Sequence, residues 1–132
     1  MIVKPDCMSQ GKGIFLTRNF DEIPPQETFV VQEYMVDPYL IDNLKFDLRL
    51  YVLVLSCDPL KIFLYQEGLA RFATRQYQPL SQKAGKAELD NLCMHLTNYA
   101  VNKGQGDFRM ATSVNDDTGH KRSLEQVCKR LS

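Results

Sequence analysis

The chain has 132 residues, of which 44% are apolar and 24% are charged, as is usual for one globular domain or part of one. Sixteen Lys and Arg side chains balance sixteen Asp and Glu side chains, so no overall field attracts nucleic acid or an anionic membrane. Any charge-based binding must therefore come from local patches.

The signals for compartment point to the cytoplasm. The four cysteines lie far apart and form no CxxC pair, which predicts free thiols in a reducing compartment. The longest apolar run, residues 50–56, is too short to span a membrane, and Lys4 and Pro5 stand where a signal peptide would be apolar. We therefore expect a cytoplasmic protein with neither a membrane nor a nucleic acid as partner.

The N-terminal part predicts three strands. Residues 1–5 are typical of the end of a β-strand, because an apolar, β-branched run stops at a proline. A glycine loop at residues 10–13 then leads to a second strand at 14–16. Residues 19–26 form a connector, and residues 28–34 predict the third strand.

The clearest predicted strand covers residues 45–55, where polar and apolar side chains alternate. Its charged residues share one face: Lys45, Asp47 and Arg49. Such a row suits either a binding site or an ordinary exposed sheet face. A further strand is predicted at 60–66, and turn residues at 57–59 predict that the two strands form a hairpin.

The C-terminal half is less regular until its last residues. Residues 74–86 predict an exposed loop, residues 88–103 a short helix followed by an extended stretch, and residues 104–120 a second polar segment. A final helix is predicted by a capping box, Ser123 with Gln126. Apolar residues follow it at helical spacing: Leu124, Val127, Cys128 and Leu131.

Two N-terminal features could bind phosphate. The glycines of residues 10–13 let backbone N–H groups approach a phosphate closely, but a plain hairpin turn explains them equally well. The loop matches neither the Walker motif nor the kinase glycine loop. Lys4, at the end of the preceding strand, could place its ammonium on the same phosphates or could simply be solvated.

Arg71 and His95 are the other candidates. Arg71 directly follows an apolar segment, where its guanidinium could fork onto a carboxylate or a transferring phosphoryl group, or could pair with Glu67 at a sheet edge. His95 favours a buried, hydrogen-bonded histidine over a catalytic base. Cys93 beside it is too little for a metal site.

Six ordered motifs together resemble one family. They occupy residues 2–5, 10–15, 30–34, 45–49, 67–72 and 95–99. In this order they resemble the tubulin tyrosine ligase-like enzymes, closely as far as about residue 103 and loosely beyond. The resemblance implies an α/β (α+β) fold of ATP-grasp type, a mostly antiparallel sheet with flanking helices.

Residues 56–60 and 69–73 resemble the glutamate-adding branch of that family. This implies a protein polyglutamylase, which uses ATP to phosphorylate a glutamate side-chain carboxylate on a tubulin tail. The amine of an incoming free glutamate then attacks the acylphosphate and forms an isopeptide bond. The implied partners are tubulin C-terminal tails and microtubules. The implied location is the cytoplasm and cytoskeleton, with the cilium or basal body as an alternative.

The resemblance also implies roles for single residues. It places Lys4 at the nucleotide phosphates, under a flap made of Gln10, Gly11, Lys12 and Gly13. It lines the adenine with Gln32, Tyr34 and Met35, and it puts Lys45 and Asp47 near the adenine and ribose. Further nucleotide contacts are expected from Thr97 and Asn98. The residues expected at the transferring group or the amino-acid substrate are Arg71, Tyr99 and Lys121, with Arg71 as the catalytic residue.

The same resemblance implies that residues 1–132 are a partial ligase domain. The family's magnesium ligands, an Asp and a later Glu and Asn, are expected downstream of the final helix, so no metal ligand is assigned here. We therefore expect a chain that uses ATP and Mg²⁺ by family, but that is inactive alone and poorly soluble. The alternatives are a non-catalytic tubulin-binding remnant and an ATP-grasp ligase of a small metabolite.

Overall fold

A computed structural model describes residues 1–81, 85–113 and 115–131. Its strands are Ile2–Pro5 (β1), Phe15–Leu16 (β2), Phe29–Gln32 (β3), Leu40–Ile41 (β4), Leu44–Arg49 (β5), Val52–Cys57 (β6), Leu60–Leu64 (β7), Leu69–Phe72 (β8) and Lys121–Ser123 (β9). Its helices are Lys86–Leu89 (α1), Leu92–His95 (α2), Tyr99–Asn102 (α3) and Leu124–Leu131 (α4), with a 3-10 turn at Phe20–Glu22. Every strand pair in these described ranges is antiparallel, which confirms the predicted fold class.

The N-terminal sheet has the order β2-β1-β3. Between β1 and β2 the glycine loop takes left-handed backbone angles, with φ of 83° at Gly11 and 70° at Gly13. A Cβ on Gly11 would lie 2.9 Å from the Val101 side chain and 3.0 Å from that of Asn98. The predicted strand, glycine loop and strand are therefore confirmed, and the loop packs against α3.

The second sheet has the order β4-β5-β8-β9 and packs one face on α4. Its apolar core consists of Ile41, Ala70, Phe72 and Val127. Asp42 and Asn43 join β4 to β5 in a two-residue turn, with φ of 55° and 59°. Arg122, only 3% exposed, lies over the Phe72 ring and donates to the Asp42 carboxylate at 2.7 Å. Arg130 of α4 pairs with the same carboxylate, so this turn anchors the helix.

The long strand predicted at 45–55 is wrong as a single element. β5 ends at Arg49, where it pairs with Leu69, and β6 begins at Val52 in a separate two-stranded sheet with β7. Gly68 packs against the Arg49 carbonyl, since a Cβ there would lie 2.7 Å from that oxygen. The chain therefore changes partner strand at residues 50–51, although its alternation continues. The predicted hairpin turn at 57–59 is confirmed.

Two predictions for the irregular half also need correction. Residues 88–103 are not a helix with an extended stretch but contain α2, α3 and the end of α1, because the Asn98 carbonyl accepts from the amides of Val101 and Asn102. The loop at 74–86 is not wholly exposed, since Thr74 and Tyr77 are buried. Residues 82–84 of this loop, and residue 114 of the second polar segment, lie outside the described residues.

The final helix and the cysteines agree with the predictions. The Gln126 amide donates to the Ser123 hydroxyl at 3.3 Å, which is one of the two bonds of the predicted capping box, whereas the Gln126 side chain donates to Asn115. Val127 is buried and Leu124 half-buried, but Cys128 and Leu131 of the apolar stripe are exposed. All four cysteines are free thiols. In the ranges that the structure describes, no helix is long and apolar enough to cross a membrane.

The β6–β7 hairpin exposes apolar residues on both of its faces. Its large side chains are each at least half exposed: Val52, Leu53, Val54, Leu55, Leu60, Ile62, Phe63 and Leu64. The described residues add no third strand to this sheet, so its backbone edges are also open. A hairpin of this kind is a template for edge-to-edge association.

We predict that this hairpin lowers the solubility of the chain. Leu53 and Phe63 are cross-strand partners, exposed by 60% and 58%. Replacing both by Lys should raise the monomeric fraction, because charges on an open sheet disfavour pairing with another copy. Size-exclusion chromatography with light scattering at increasing concentration measures this fraction.

Gln76→Lys is the control, since it adds a charge at an exposed loop position and removes no apolar side chain. The prediction is wrong if the unmodified chain already runs as a monodisperse monomer with a sharp cooperative melt.

Candidate functional site

Two lysine ammonium groups lie close together beside the N-terminal sheet. Lys4 of β1 donates to the Gln32 side chain at 2.8 Å, and Lys45 of β5 donates to the Tyr34 hydroxyl at 3.0 Å. Burial lowers the pKa of Lys45, and the nearby charge of Lys4 lowers it further. Among the described residues neither ammonium has a carboxylate within 4.0 Å. This pair is therefore an uncompensated positive charge that favours an anion.

The residues predicted to line an adenine differ in burial. Tyr34 is 7% exposed and belongs to the core, and burial raises the pKa of its hydroxyl. Its neighbour Met35 is 68% exposed, and Gln32 is exposed apart from its bond to Lys4. Tyr34 is thus a buried hydrogen-bond acceptor for Lys45, whereas the side chains of Met35 and Gln32 are accessible to a ligand.

The glycine loop folds back over the end of β1. A Cβ on Gly13 would lie 2.8 Å from the Pro5 ring, and Pro5 directly follows Lys4. Gly11 packs on Asn98, as described above, whereas Gln10 and Lys12 are exposed. The loop therefore joins the predicted residue Asn98 to the neighbourhood of Lys4.

A row of charged side chains crosses the second sheet. Asp47, Arg71 and Lys121 are direct cross-strand partners on β5, β8 and β9. Arg71 binds Asp47 side-on through two guanidinium nitrogens: Nε donates to Oδ1 at 2.8 Å, and Nη2 donates to Oδ2. The bond to Asp47 raises the pKa of Arg71. The ion pair suggested between Arg71 and Glu67 is thus made with Asp47 instead.

A pocket of about 240 Å³ lies beside this row. It brings together four predicted residues, Arg71, Thr97, Tyr99 and Lys121. Arg49 adds another cation, and neither it nor Lys121 has an ion-pair partner in the part of the chain that is described. The volume is below that of most drug-sized ligand sites, so it suits a small anionic group.

Among the residues of this pocket that sequence reasoning missed are the aromatic side chains Phe108 and His120. Their rings stack with centroids 5.7 Å apart, and Phe108 also meets the Tyr99 ring at 5.5 Å. The His120 ring accepts from the Arg109 amide at 3.0 Å, and burial lowers its pKa. Both residues lie in a polar segment without periodicity, so only the spacing of His120 next to Lys121 could have drawn attention to it.

The described residues do not fit a magnesium ion. No three side chains among their His, Cys, Asp and Glu residues are grouped to hold a metal. The Asp47 carboxylate, in the charged row beside the pocket, has both oxygens on Arg71.

Comparisons with known proteins agree with these motifs. The family model described as "Tubulin-tyrosine ligase family" matches residues 1–132. A Tetrahymena thermophila protein named as a probable beta-tubulin polyglutamylase is 52% identical over 131 residues, which are 98% of this chain and 11% of that protein. Human tubulin polyglutamylase TTLL13 is 54% identical over 126 residues, 96% of this chain and 14% of that protein. Human tubulin polyglutamylase TTLL6 is 52% identical over 124 residues, 93% and 13%. The chain thus spans only a small part of these relatives' length.

We predict a measurable coupling between Asp47 and Arg71. A double-mutant cycle of Asp47→Asn and Arg71→Met should give about 0.5–1 kcal/mol, because the pair is two-pronged but partly exposed. The free energies come from urea unfolding. The more exposed pair Arg75–Asp107, at 51% and 57% exposure, is the matched control and should couple less. Equal coupling free energies in the two pairs would show that the two hydrogen bonds between Arg71 and Asp47 add no stability beyond that of an exposed ion pair.

We also predict that acid destabilises the chain through its two histidines, His95 and His120. Burial lowers the pKa of both below the ordinary value of 6.5, so the unfolded chain binds more protons as the pH falls. Stability should therefore be fully present above about pH 7 and decrease as the pH falls through 6.5 and below it. Urea midpoints across this range measure the slope.

His95→Gln and His120→Gln should each flatten this pH dependence, and the double variant should remove most of it. A slope that survives in the double variant would show that other groups cause the acid sensitivity.

Proposed function

This chain belongs to the tubulin-tyrosine ligase family, and we propose that it carries nucleotide and amino-acid contacts of a polyglutamylase-like ligase. The ligase would use ATP to add glutamate to glutamate side chains of tubulin tails. The similarity to several tubulin polyglutamylases supports this substrate class. Its place would be the cytoplasm and the microtubule cytoskeleton.

The proposed reaction has two steps. The γ-phosphoryl group of ATP passes to the side-chain carboxylate of a tubulin glutamate, leaving ADP and an acylphosphate. The amine of free glutamate then attacks the acyl carbon, phosphate leaves, and an isopeptide bond forms. Both steps move negative charge near the reacting atoms, so fixed cations close to that path would lower their barriers.

The observation that carries the proposal is the convergence of the cations around β5. Lys45 and Asp47 lie two residues apart on that strand, with side chains on the same face. On one side the charge of Lys4 acts on Lys45, and on the other Asp47 holds Arg71 in the pocket that Arg49 and Lys121 also line. Residues from distant parts of the sequence thus form two neighbouring positive groups, as one polyphosphate and one acidic substrate would require.

We assign the lysine pair to the nucleotide and the pocket to the amino-acid substrate. A pocket of about 240 Å³ is small for a whole nucleotide but suits an amino acid. Arg49 and Lys121 would face the two carboxylates of a glutamate, and the Tyr99 hydroxyl could add a hydrogen bond. Arg71, held by Asp47, would keep a fixed direction towards the reacting carboxylate.

The absence of a metal donor set among the described residues supports the further proposal that this chain alone does not complete the reaction. Binding of nucleotide and amino acid requires only the side chains described above. Ligand binding and turnover can therefore be measured separately, because binding can persist where turnover does not.

We predict that the chain binds ATP, and that Lys4→Ala and Lys45→Ala each weaken binding about tenfold or more, since each removes a cation from the phosphates. Isothermal titration calorimetry with and without Mg²⁺ measures the affinity. Lys129→Ala is the matched control, because Lys129 lies on α4 and pairs with Glu125. It should bind ATP as the unmodified chain does.

A folded chain that binds no ATP would contradict the ligase proposal. If the same sample bound a tubulin-tail peptide, a non-catalytic tubulin-binding protein would be the better account. Free glutamate and the tail peptide should compete with each other for binding at the pocket. A ligase of small metabolites would not bind the peptide.

A further inference from the structure

His95 is the most buried titratable side chain near the lysine pair, with 1% of its surface exposed. Its Nε2 lies 2.8 Å from the Glu88 carbonyl oxygen, and its Nδ1 lies 2.9 Å from the Tyr34 hydroxyl. A carbonyl can only accept, so Nε2 must carry the proton. Burial lowers the pKa of His95, the bond to the Glu88 carbonyl opposes this, and the charge of Lys45 lowers it further, so the neutral ring is favoured. Nδ1 is therefore an acceptor.

The tautomer of His95 fixes the direction of the next two hydrogen bonds. Because Nδ1 accepts, the Tyr34 hydroxyl must donate its proton there. The Tyr34 oxygen is then free to accept from Lys45 Nζ at 3.0 Å. The ammonium also lies 4.4 Å from the centre of the Tyr34 ring, which adds a cation–π contact. A single directed chain thus leads from the Glu88 carbonyl to the Lys45 ammonium.

Packing holds the two rings of this hydrogen-bond series, His95 and Tyr34, in place. Tyr34 and Tyr77 both meet the His95 ring edge-to-face, with centroids 5.3 Å and 6.1 Å away. Tyr77 donates its own hydroxyl proton to the Val36 carbonyl at 2.8 Å, and its hydroxyl also lies near that of Tyr34. Neither the histidine nor Tyr34 can therefore turn without breaking a buried contact.

The last group in this series of hydrogen bonds is Lys45. Without the bond to Tyr34, its side chain would be flexible and its ammonium would be repelled by Lys4. An ammonium on a four-carbon stem has many rotamers, and two like charges separate unless something holds them. The Tyr34 oxygen provides that hold without introducing a negative charge that would compete with an anion. The arrangement keeps two ammonium groups ready for one polyphosphate.

We propose that His95 is a positioning residue of the nucleotide site: it holds the Tyr34 hydroxyl, which holds the Lys45 ammonium beside Lys4. The identity of the ligand rests on the proposed function, whereas the hydrogen-bond chain rests on the geometry. His95 itself touches no reacting atom.

The test compares two buried side chains that carry a hydroxyl, Tyr34 and Thr17. Tyr34→Phe removes the oxygen between His95 and Lys45 and should weaken ATP binding about tenfold by calorimetry. Thr17→Val removes a hydroxyl that bonds Asn19 and Glu22 and leaves the Lys45–Tyr34–His95 hydrogen bonds intact, so its affinity should stay within about twofold. Circular dichroism melts confirm that both variants are folded. Equal losses in a chain that binds ATP would overturn the inference and leave the proposed function standing.

Variants of the histidine provide the rescue. His95→Asn keeps an acceptor near the position of Nδ1, whereas His95→Leu keeps none. Asn should therefore retain more ATP affinity than Leu at matched folding. The same affinity in both would count against a role through Tyr34.

A spectrum without nucleotide separates the two proposals. The ¹⁵N resonances of His95, assigned with the His120→Gln variant, should show a protonated Nε2 and an unprotonated Nδ1. A protonated Nδ1 would overturn the inference whether or not ATP binds. A correct tautomer in a folded chain without ATP affinity would overturn the proposed function, and with it the nucleotide role of His95.

Discussion

The antiparallel pairing of β5 with β8 is the constraint on which the candidate site depends. It sets Asp47 directly opposite Arg71, and the next strand sets Lys121 beside Arg71. Shifting β8 by one residue against β5 would turn Arg71 away from Asp47 to the core face, where Phe46 and Phe72 now stack. The aromatic stack on one face and the ion pair on the other therefore specify the same register, and the position of the pocket follows from it.

The site divides its positive charges into two kinds. Arg71 is neutralised by Asp47, so it is held firmly but contributes little net field. Lys4, Lys45, Arg49 and Lys121 have no ion-pair partner among the described residues, so their field is available to a ligand. A close contact between unit charges is worth about 4 kcal/mol at an effective dielectric near 20. Uncompensated cations thus lower the free energy of unfolding of the free chain, and a bound anion raises it again.

Much of this fold could be predicted where a local pattern determines the structure. The glycine loop, the hairpin turn at 57–59 and the Ser123 cap each depend on a few neighbouring residues. The break at residues 50–51 could not be predicted, because its alternation continues and the change of partner is decided by distant strands. The Asp42–Asn43 turn was a readable signal that the sequence analysis missed.

The site shows the same division between local and long-range information. Period two placed Lys45 and Asp47 on one face, but it could not reveal that Asp47 would bind Arg71. His95 was expected to be buried and hydrogen-bonded, and it is. What the sequence could not provide is the direction of its bonds, which depends on a backbone carbonyl at Glu88 and a hydroxyl at Tyr34. A buried histidine without charge chemistry can still act on a site, because a neutral ring with one fixed proton determines which neighbour donates and which accepts.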